Sequence, residues 1–372
     1  MTAPASSPLS PALTRLIADF EAGRSAALAR AVSIVENHRS GFDRLLAHLH
    51  PKIGRARRIG ITGPPGAGKS TITSLLARHA RARGLRVGIL CVDPTSPFTG
   101  GALLGDRIRM EQVALDPGVF IRSMATRGSL GGLAAATREA ADVLDAFGFD
   151  LVLIETVGVG QSELDIARTA DTTLVVLVPE SGDSIQTLKA GLMEIADLYA
   201  VNKADRPGAD RLRNEIELML GLRMGATNHV PAHHGVDLRA IADRDALREA
   251  MQPAKAARAA AQRDDADHWT PPVLGTIAVK DEGVVELLDA LDRHFAYLER
   301  SGTLRSRRLT RLRERVVEVV EDRLKHRLWR DAATNAWLDA QVSRLEAGGG
   351  TPFAVADELL ARSGDLMTRG TT

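Results

Sequence analysis

Hydrophobic residues recur at helical spacing near both ends of the chain. Leu13, Leu16 and Ile17 are followed by a second stripe that begins at Ala27, which predicts that residues 10–50 are helical. From residue 309 onward, apolar residues again recur at spacings of three to five, with charged residues between them. The positions of this C-terminal stripe are Leu309, Leu312, Val316, Val319, Val320, Leu324 and Leu328.

The middle of the chain alternates short apolar runs with longer amphipathic segments. The runs lack strict polar alternation, which is typical of strands that are covered on both faces. They lie at 58–62, 86–92, 151–154, 173–178, 198–201 and 273–279. The amphipathic segments lie at 69–83, 134–147, 185–196 and 284–298. This order predicts an α/β fold with a doubly wound, mostly parallel sheet.

Three segments follow from these patterns. Residues 1–50 form an N-terminal helical segment and residues 51–300 an α/β domain, in which the polar stretch at about 206–272 reads as an insertion. Residues 301–372 form a C-terminal helical segment. Its apolar stripe needs a partner surface, so two interpretations stay open: packing on its own domain, or a dimerisation arm.

Composition excludes several classes of protein. The 372 residues carry a formal net charge of +1 and only 3% aromatic residues, which argues against a nucleic-acid coat or a base-stacking surface. A single cysteine, Cys91, excludes an internal disulfide, and its place in a strand predicts a small core residue. No apolar run is long enough to span a bilayer, and the N-terminus lacks a secretory signal pattern. These features favour a cytoplasmic protein that binds neither nucleic acid nor membrane.

The segment Gly63-Pro64-Pro65-Gly66-Ala67-Gly68-Lys69-Ser70 carries the strongest chemical signal. It matches the phosphate-binding pattern G-x-x-x-x-G-K-[ST], and it lies between a predicted strand and a predicted helix. In this pattern the glycines let backbone N–H groups surround the phosphates. Lys69 would reach the β- and γ-phosphates, and the Ser70 hydroxyl would bind Mg²⁺. The sequence therefore predicts a nucleoside triphosphate site.

A second segment predicts which base is bound. Asn202-Lys203-Ala204-Asp205 directly follows the predicted strand at 198–201. The Asp205 carboxylate offers acceptors to guanine N1–H and N2–H₂, a donor pair that adenine lacks. Lys203 would lie along the face of the base, and Asn202 would brace the loop. The alternative role for Asp205 is a helix N-cap, which is compatible with guanine binding.

Two acidic residues end predicted strands and extend the site. Asp93 ends the second strand and would point toward the Mg²⁺ shell. Glu155 ends a later strand and begins the sequence Glu155-Thr156-Val157-Gly158, in which the Gly158 N–H would meet the γ-phosphate. Because Mg²⁺ keeps several waters, these acids would act partly through water. Their alternative role is helix capping.

Together, these segments resemble a known family. The pattern GPPGAGKST, VDPTSPFTGGALLGDRIRM, ETVGVGQSE, VPESGDSIQTLKAG and NKAD is similar to the MeaB/ArgK G-protein chaperones of adenosylcobalamin-dependent acyl-CoA mutases. The resemblance is dense over about residues 15–205 and looser in the C-terminal tail. It implies a P-loop GTPase fold with a C-terminal dimerisation arm, and a homodimer.

The resemblance also implies a function and a set of site residues. It implies GTP and GDP binding with Mg²⁺, slow hydrolysis that contact with the mutase accelerates, and control of cofactor loading on methylmalonyl-CoA mutase or a related mutase. The implied metal shell is Ser70, Asp93, Asp106 and Glu155. The implied catalytic residues are Lys69, Glu155, Gln186 and Lys189. The implied nucleotide contacts are Gly63 to Thr71, Arg109, Gly158, Asn202, Lys203, Asp205, Ile277 and Ala278.

The chain departs from the family pattern in two places. The last guanine-contacting loop reads Thr276-Ile277-Ala278 where the family usually has Ser-Ala, so the contact to guanine O6 is expected from the Ala278 N–H. The stretch between Asp205 and that loop is longer than the family pattern predicts, and it contains His229, His233 and His234. With no carboxylate or cysteine beside them, these histidines favour a polar insertion or a partner contact over a metal site. Two other functions remain as alternatives: a nickel-insertion metallochaperone GTPase and a P-loop kinase.

Overall fold

A seven-stranded sheet forms the centre of the protein. The computed structural model describes residues 9–93, 110–125, 132–156, 166–179, 191–223 and 268–362. All pairings between the described strands are parallel, and the order across the sheet is β3-β2-β4-β1-β5-β6-β7. The strands are β1 Arg57–Thr62, β2 Val87–Asp93, β3 Val119–Ala125, β4 Leu151–Thr156, β5 Thr172–Leu177, β6 Leu198–Asn202 and β7 Val273–Thr276. The predicted doubly wound α/β fold is confirmed.

Helices precede, cover and follow this sheet. Those before and within the α/β region are α1 Pro11–Glu21, α2 Ser25–Glu36, α3 Phe42–Leu49, α4 Lys69–Ala82, α5 Glu111–Ala114, α6 Gly132–Phe147, α7 Met193–Ile195, α8 Ala209–Arg223 and α9 Val284–Arg300. Three more follow, α10 Thr303–Arg330, α11 Ala332–Glu346 and α12 Pro352–Arg362. None of the described helices combines the length and apolar character needed to cross a membrane.

The structure differs from the predicted elements in three places. Strand β3 is absent from the predicted runs because Arg122 and Ser123 interrupt its apolar residues, and Arg122 instead pairs with Glu36. Helix α8 lies at the start of the stretch read as an insertion. The predicted strand at 273–279 ends at Thr276 and continues as a short 3₁₀ turn.

Two apolar layers cover the two faces of the sheet. On one face, α4 and α9 pack against β1 and the neighbouring strands, with Ile61, Leu76 and Leu287 buried between them. On the other face, α1 to α3 and α6 cover β2 and β4, and Leu28 and Ile154 belong to this second cluster. The N-terminal helices therefore complete the apolar interior of the α/β region.

The chain divides into two compact units, residues 1–304 and 305–372. In the second unit, α11 begins at an N-cap where the Asp331 carboxylate accepts from the Thr334 N–H at 2.7 Å. Helix α12 packs on α11, with the Arg362 guanidinium 5.2 Å from the centre of the Trp337 ring. Val355 and Leu359 are buried in this unit.

A buried charged cluster fixes the entry of the chain into β1. The Asp145 carboxylate accepts from the backbone N–H groups of Gly54, Arg55 and Ala56 at 2.7, 3.1 and 3.0 Å. The Arg58 guanidinium lies 2.7 Å from Asp142 and 3.2 Å from Asp145.

Burial opposes the charged form of Arg58. The carboxylates of Asp142, Asp145 and Asp171 outweigh this effect and raise its pKa, so Arg58 stays charged.

Replacing Asp145 should therefore strongly destabilise the fold. We expect Asp145→Asn to lower the free energy of unfolding by about 3 kcal/mol, because it removes a buried charge from Arg58 and an acceptor from backbone N–H groups. Asp19→Asn is the matched control, since the Asp19–Arg24 pair is exposed and should contribute less than about 0.5 kcal/mol. Equal denaturant midpoints for the two variants would contradict this account.

Candidate functional site

The predicted site residues meet where parallel strands end. Strand β1 lies between β4 and β5. The chain runs from β1 to β2 and β3 on one side of the sheet, and reaches β5, β6 and β7 on the other. Such a reversal of strand order at the carboxyl edge is where open α/β sheets bind ligands.

The loop from β1 to α4 has a backbone conformation that requires glycine at two positions. Gly63 has φ +137°, and a Cβ placed there would lie 2.0 Å from the Val176 carbonyl oxygen. Gly68 has φ +88°, and a Cβ there would lie 2.3 Å from Asn202 Nδ2. The loop is thus packed directly against β5 and the end of β6, with no room for a side chain at either position.

Lys69 is the first residue of α4, and its side chain folds back over this loop. Its ammonium donates to the carbonyl oxygens of Gly63 at 2.7 Å and Pro64 at 3.0 Å. The residue is only 6% exposed. An ammonium held in this position is suited to bind phosphate oxygens that enter the loop.

Ser70 and Glu155 form the polar centre beside the loop. The Ser70 hydroxyl donates to Glu155 Oε1 at 2.5 Å, and Glu155 is buried at the end of β4. A serine hydroxyl and a carboxylate are oxygen ligands of the kind that Mg²⁺ prefers, and Mg²⁺ proteins use only one or two carboxylates. The two residues therefore fit a magnesium ion that would also bind the phosphates.

Two threonines lie directly beneath this centre. Thr62 precedes the loop and Thr156 follows Glu155, and the Thr156 hydroxyl donates to the Thr62 hydroxyl at 3.0 Å. Both side chains are buried. Neither threonine is a predicted site residue, although Thr156 lies within the predicted Glu155-Thr156-Val157-Gly158 element and Thr62 directly precedes the phosphate loop. Their hydrogen bond holds the ends of β1 and β4 together.

The side chain of Asn202 connects three parts of the site. Its Nδ2 donates to the Ala67 carbonyl oxygen of the phosphate loop at 2.8 Å. Its Oδ1 accepts from the Thr276 hydroxyl at 3.2 Å and from the Ala278 N–H at 3.1 Å. The Ala204 N–H donates to the Thr276 carbonyl oxygen at 3.0 Å. The Asn-Lys-Ala-Asp segment and the end of β7 are thus held side by side.

This arrangement bears on the predicted contacts to guanine. Lys203 is half-buried with φ +57°, and Asp205 is exposed. Ile277 is half-buried, and the Ala278 N–H that was expected to reach guanine O6 is engaged by Asn202 in this structure. The guanine contact from Ala278 therefore remains a prediction.

Several predicted site residues lie outside what the structure describes. These are Asp106, Arg109, Gly158, Gln186 and Lys189, together with the insertion histidines His229, His233 and His234. Asp93 ends β2, but the description there covers only its backbone. Cys91 is fully buried in the core, as predicted. Within the described ranges, no group of three or more His, Cys, Asp or Glu residues forms a metal cluster.

Comparison with known proteins identifies the family. The model of the family described as "Methylmalonyl Co-A mutase-associated GTPase MeaB" matches residues 28–333. The chain belongs to this family. It is accordingly a GTPase that binds guanine nucleotides, and the resemblance seen in the motifs is confirmed.

Similar proteins occur in distant organisms. A Pyrococcus abyssi protein named as a candidate GTPase is 42% identical over 94% of this chain and 96% of its own length. Escherichia coli GTPase ArgK is 41% identical over 52% of this chain and 60% of its own length. The mouse protein "Methylmalonic aciduria type A homolog, mitochondrial" is 29% identical over 93% of this chain and 78% of its own length.

A solved structure supports the fold. The crystal structure of an LAO/AO transport system kinase aligns with 95% of this MeaB-family chain and 99% of its own, with a TM-score of 0.61. At 24% identity, this likeness bears on the fold alone.

Gly68→Ala should damage nucleotide binding, because the added Cβ would displace Asn202. We expect GDP affinity to fall about tenfold or more. Gly84→Ala is the matched control: Gly84 has a similar φ of +83°, and nothing lies within 4 Å of its added Cβ. That variant should lose about 1 kcal/mol of stability and keep its GDP affinity. Isothermal titration checks both, and equal GDP affinities would refute the steric argument.

Proposed function

We propose that this chain is a GTP-dependent chaperone of an adenosylcobalamin-dependent acyl-CoA mutase. It would control loading of the cofactor and release of inactivated cofactor. The match of the mutase-associated GTPase family over residues 28–333 carries the proposal. The site supports it, since Lys69, Ser70, Glu155 and Asn202 are grouped around one phosphate loop.

The described residues divide the chemistry between two ends of the nucleotide. The phosphate loop, Gly63 to Thr71, would surround the phosphates, with Lys69 supplying positive charge near the transferred group. At the other end, Asp205 and Lys203 would recognise guanine, with the segment around Ile277 and Ala278 beside them. Asn202 holds the two ends in register. Phosphoryl transfer depends on such positioning more than on covalent chemistry.

Ser70 and Glu155 would hold Mg²⁺, with Asp93 and Asp106 completing its shell. When bound, Mg²⁺ would neutralise the negative charge that develops on the phosphates during transfer. Glu155 would in addition orient the attacking water, whose hydrogen bond its buried carboxylate would accept.

The slow step of this GTPase would be completed by its partner. Arg109, Gly158, Gln186 and Lys189 belong to the segments that match the family's switches, and we assign them to contacts with the phosphates and the attacking water. Docking of a mutase would bring cationic side chains of these segments to the γ-phosphate. Ordering of a missing cation is a general way for a partner to accelerate GTP hydrolysis.

The central test measures steady-state hydrolysis of Mg·GTP with and without purified acyl-CoA mutases. We expect one mutase among the methylmalonyl-, isobutyryl- and 2-hydroxyisobutyryl-CoA enzymes to raise the GTPase rate about tenfold or more. ATP should not be hydrolysed at a comparable rate, and Lys69→Ala should be inactive with either nucleotide. A rate that no mutase changes would remove the chaperone function and leave a GTPase with another client.

The base assignment is tested by Asp205→Asn. The amide inverts the pattern of donors and acceptors, so GTP affinity should fall at least about tenfold, and xanthosine triphosphate should bind better than it does to the wild type. Asp210→Asn is the matched control: Asp210 is an exposed residue in the first turn of α8, and this variant should bind GTP normally. Unchanged GTP affinity in Asp205→Asn would place guanine recognition elsewhere.

We further propose that the protein is a homodimer joined through α10. Leu312, Val316, Val320 and Leu324 are 43%, 64%, 49% and 38% exposed, and none of the described residues of this 28-residue helix is buried. An exposed apolar stripe of this length favours burial against a second helix. These four residues recur every four positions, which places them along one side of the helix where a second helix could pack.

Val316→Glu should convert the dimer into a monomer, because it introduces a charge into the proposed interface. Light scattering during size-exclusion chromatography measures the mass directly. Leu218→Glu is the matched control, since Leu218 is 65% exposed on α8 and should leave the dimer intact. A monomeric wild-type protein would contradict this proposal.

A further inference from the structure

A closed loop follows β7 and forms one wall of the proposed guanine pocket. In this 277–282 loop, the Ile277 N–H donates to the Glu282 carbonyl oxygen at 3.0 Å, and the Glu282 N–H donates back at 3.3 Å. The Asp281 N–H donates to the Ala278 carbonyl oxygen at 3.1 Å. These bonds set the shape of the loop but do not set its distance from the phosphate loop.

Asp281 connects this loop to the helix that follows the phosphate loop. Its two carboxylate oxygens lie 2.8 and 3.0 Å from His79 Nε2, within hydrogen-bonding distance. The same carboxylate pairs with the Arg78 guanidinium. Arg78 and His79 both belong to α4, which begins at Lys69. Asp281 itself has φ +61°, in the left-handed region that Asp enters more readily than most residues with a Cβ. Its carboxylate is thus turned toward α4, where it contacts two side chains.

The 277–282 loop is thereby joined to the phosphate-binding element at two separate points. On one side, the Ala278 N–H donates to Asn202, which donates in turn to the Ala67 carbonyl oxygen. On the other side, Asp281 binds α4. Between the two points, Ala278 belongs to the same apolar cluster as Ile72 of α4. Two polar connections and a shared apolar cluster therefore hold the loop against this element.

We propose that Asp281 is a positioning residue for guanine recognition, acting through Arg78 and His79 to hold the 277–282 loop at a fixed distance from the phosphate loop. This inference rests on the proposed guanine pocket at Asn202 to Asp205. A nucleotide that binds both ends of the site needs its base wall and its phosphate loop at one separation. Loss of the Asp281 connection leaves the loop held through Asn202, and base recognition suffers before phosphate recognition does.

A second set of ion pairs on α4, which joins it to α9, offers a matched control. Arg83 on α4 pairs with Asp289 at 2.6 Å and Asp292 at 2.7 Å on α9. These ion pairs join α4 to α9 without contacting the 277–282 loop. Arg83→Ala therefore reports the effect of weakening the packing of the two helices alone.

The test compares Asp281→Gly with Arg83→Ala in the full-length protein. Glycine suits the left-handed conformation at 281, so this variant removes the contacts without adding backbone strain. We expect Asp281→Gly to lose about tenfold in GDP affinity and to reduce the preference for GDP over ADP. The kcat for GTP should stay within about twofold of wild type, since the chemistry lies at the phosphates. Arg83→Ala should bind GDP within about twofold of wild type.

Three results would overturn the inference: an unchanged GDP affinity, an equal loss in Arg83→Ala, or a loss with an unaltered preference for GDP over ADP. If Asp281→Gly does not fold, the double variant Arg78→Ala/His79→Ala removes the same contacts from the surface of α4 and should give the same shift. Asp205→Asn, measured in parallel, separates a failure of the proposed guanine pocket from a failure of the role proposed for Asp281. If that variant also binds GDP normally, the guanine pocket itself is misplaced; if it loses affinity while Asp281→Gly does not, only the role of Asp281 fails.

Discussion

The carboxamide of Asn202 is the interaction on which the geometry of the site depends. One planar group donates to the phosphate loop at Ala67 and accepts from both Thr276 and Ala278 at the end of β7. Because the amide is buried, loss of either side would leave polar groups without water to replace the partner. The amide also explains the requirement for glycine at position 68, where its nitrogen occupies the space of a side chain. This side chain thus ties the phosphate loop directly to the end of β7.

The arrangement works because the sheet delivers these groups to one edge. Parallel strands place their carboxyl ends side by side. Thr62, Glu155 and Asn202 therefore lie at the same edge of the sheet, although they are distant in sequence. Apolar helices on both faces keep the strands in register. The charged cluster of Arg58, Asp142 and Asp145 lies at the opposite edge, where it fixes the start of β1. The nucleotide site and the buried ion pairs therefore lie at opposite ends of the same strands.

Much of this site can be predicted from the sequence because its motifs consist of consecutive residues. The phosphate loop and the Asn-Lys-Ala-Asp segment each carry their function in consecutive residues, and the short apolar runs that precede them predict the strands. What escapes prediction is set by tertiary contacts. Strand β3 carries Arg122 because Glu36 on an N-terminal helix compensates its charge. Helix α8 is charge-rich, although its buried residues Leu212, Ile216 and Leu220 recur every four positions and give a detectable signal. The contact between His79 and Asp281 joins residues 202 positions apart, and no local pattern indicates it.

The N-terminal helices have a consequence for how the protein can be divided. They cover the face of β2 and β4 that carries Leu90, Val92, Val152 and Ile154, and they share one apolar cluster with α6. A chain shortened to begin at β1 would keep every motif of the nucleotide site. It would also expose the aliphatic side chains that α1 to α3 now bury against α6 and this face of the sheet, and exposed apolar surface of this kind drives self-association. The smallest piece of this protein that stays monodisperse in solution is therefore larger than the region that its motifs define.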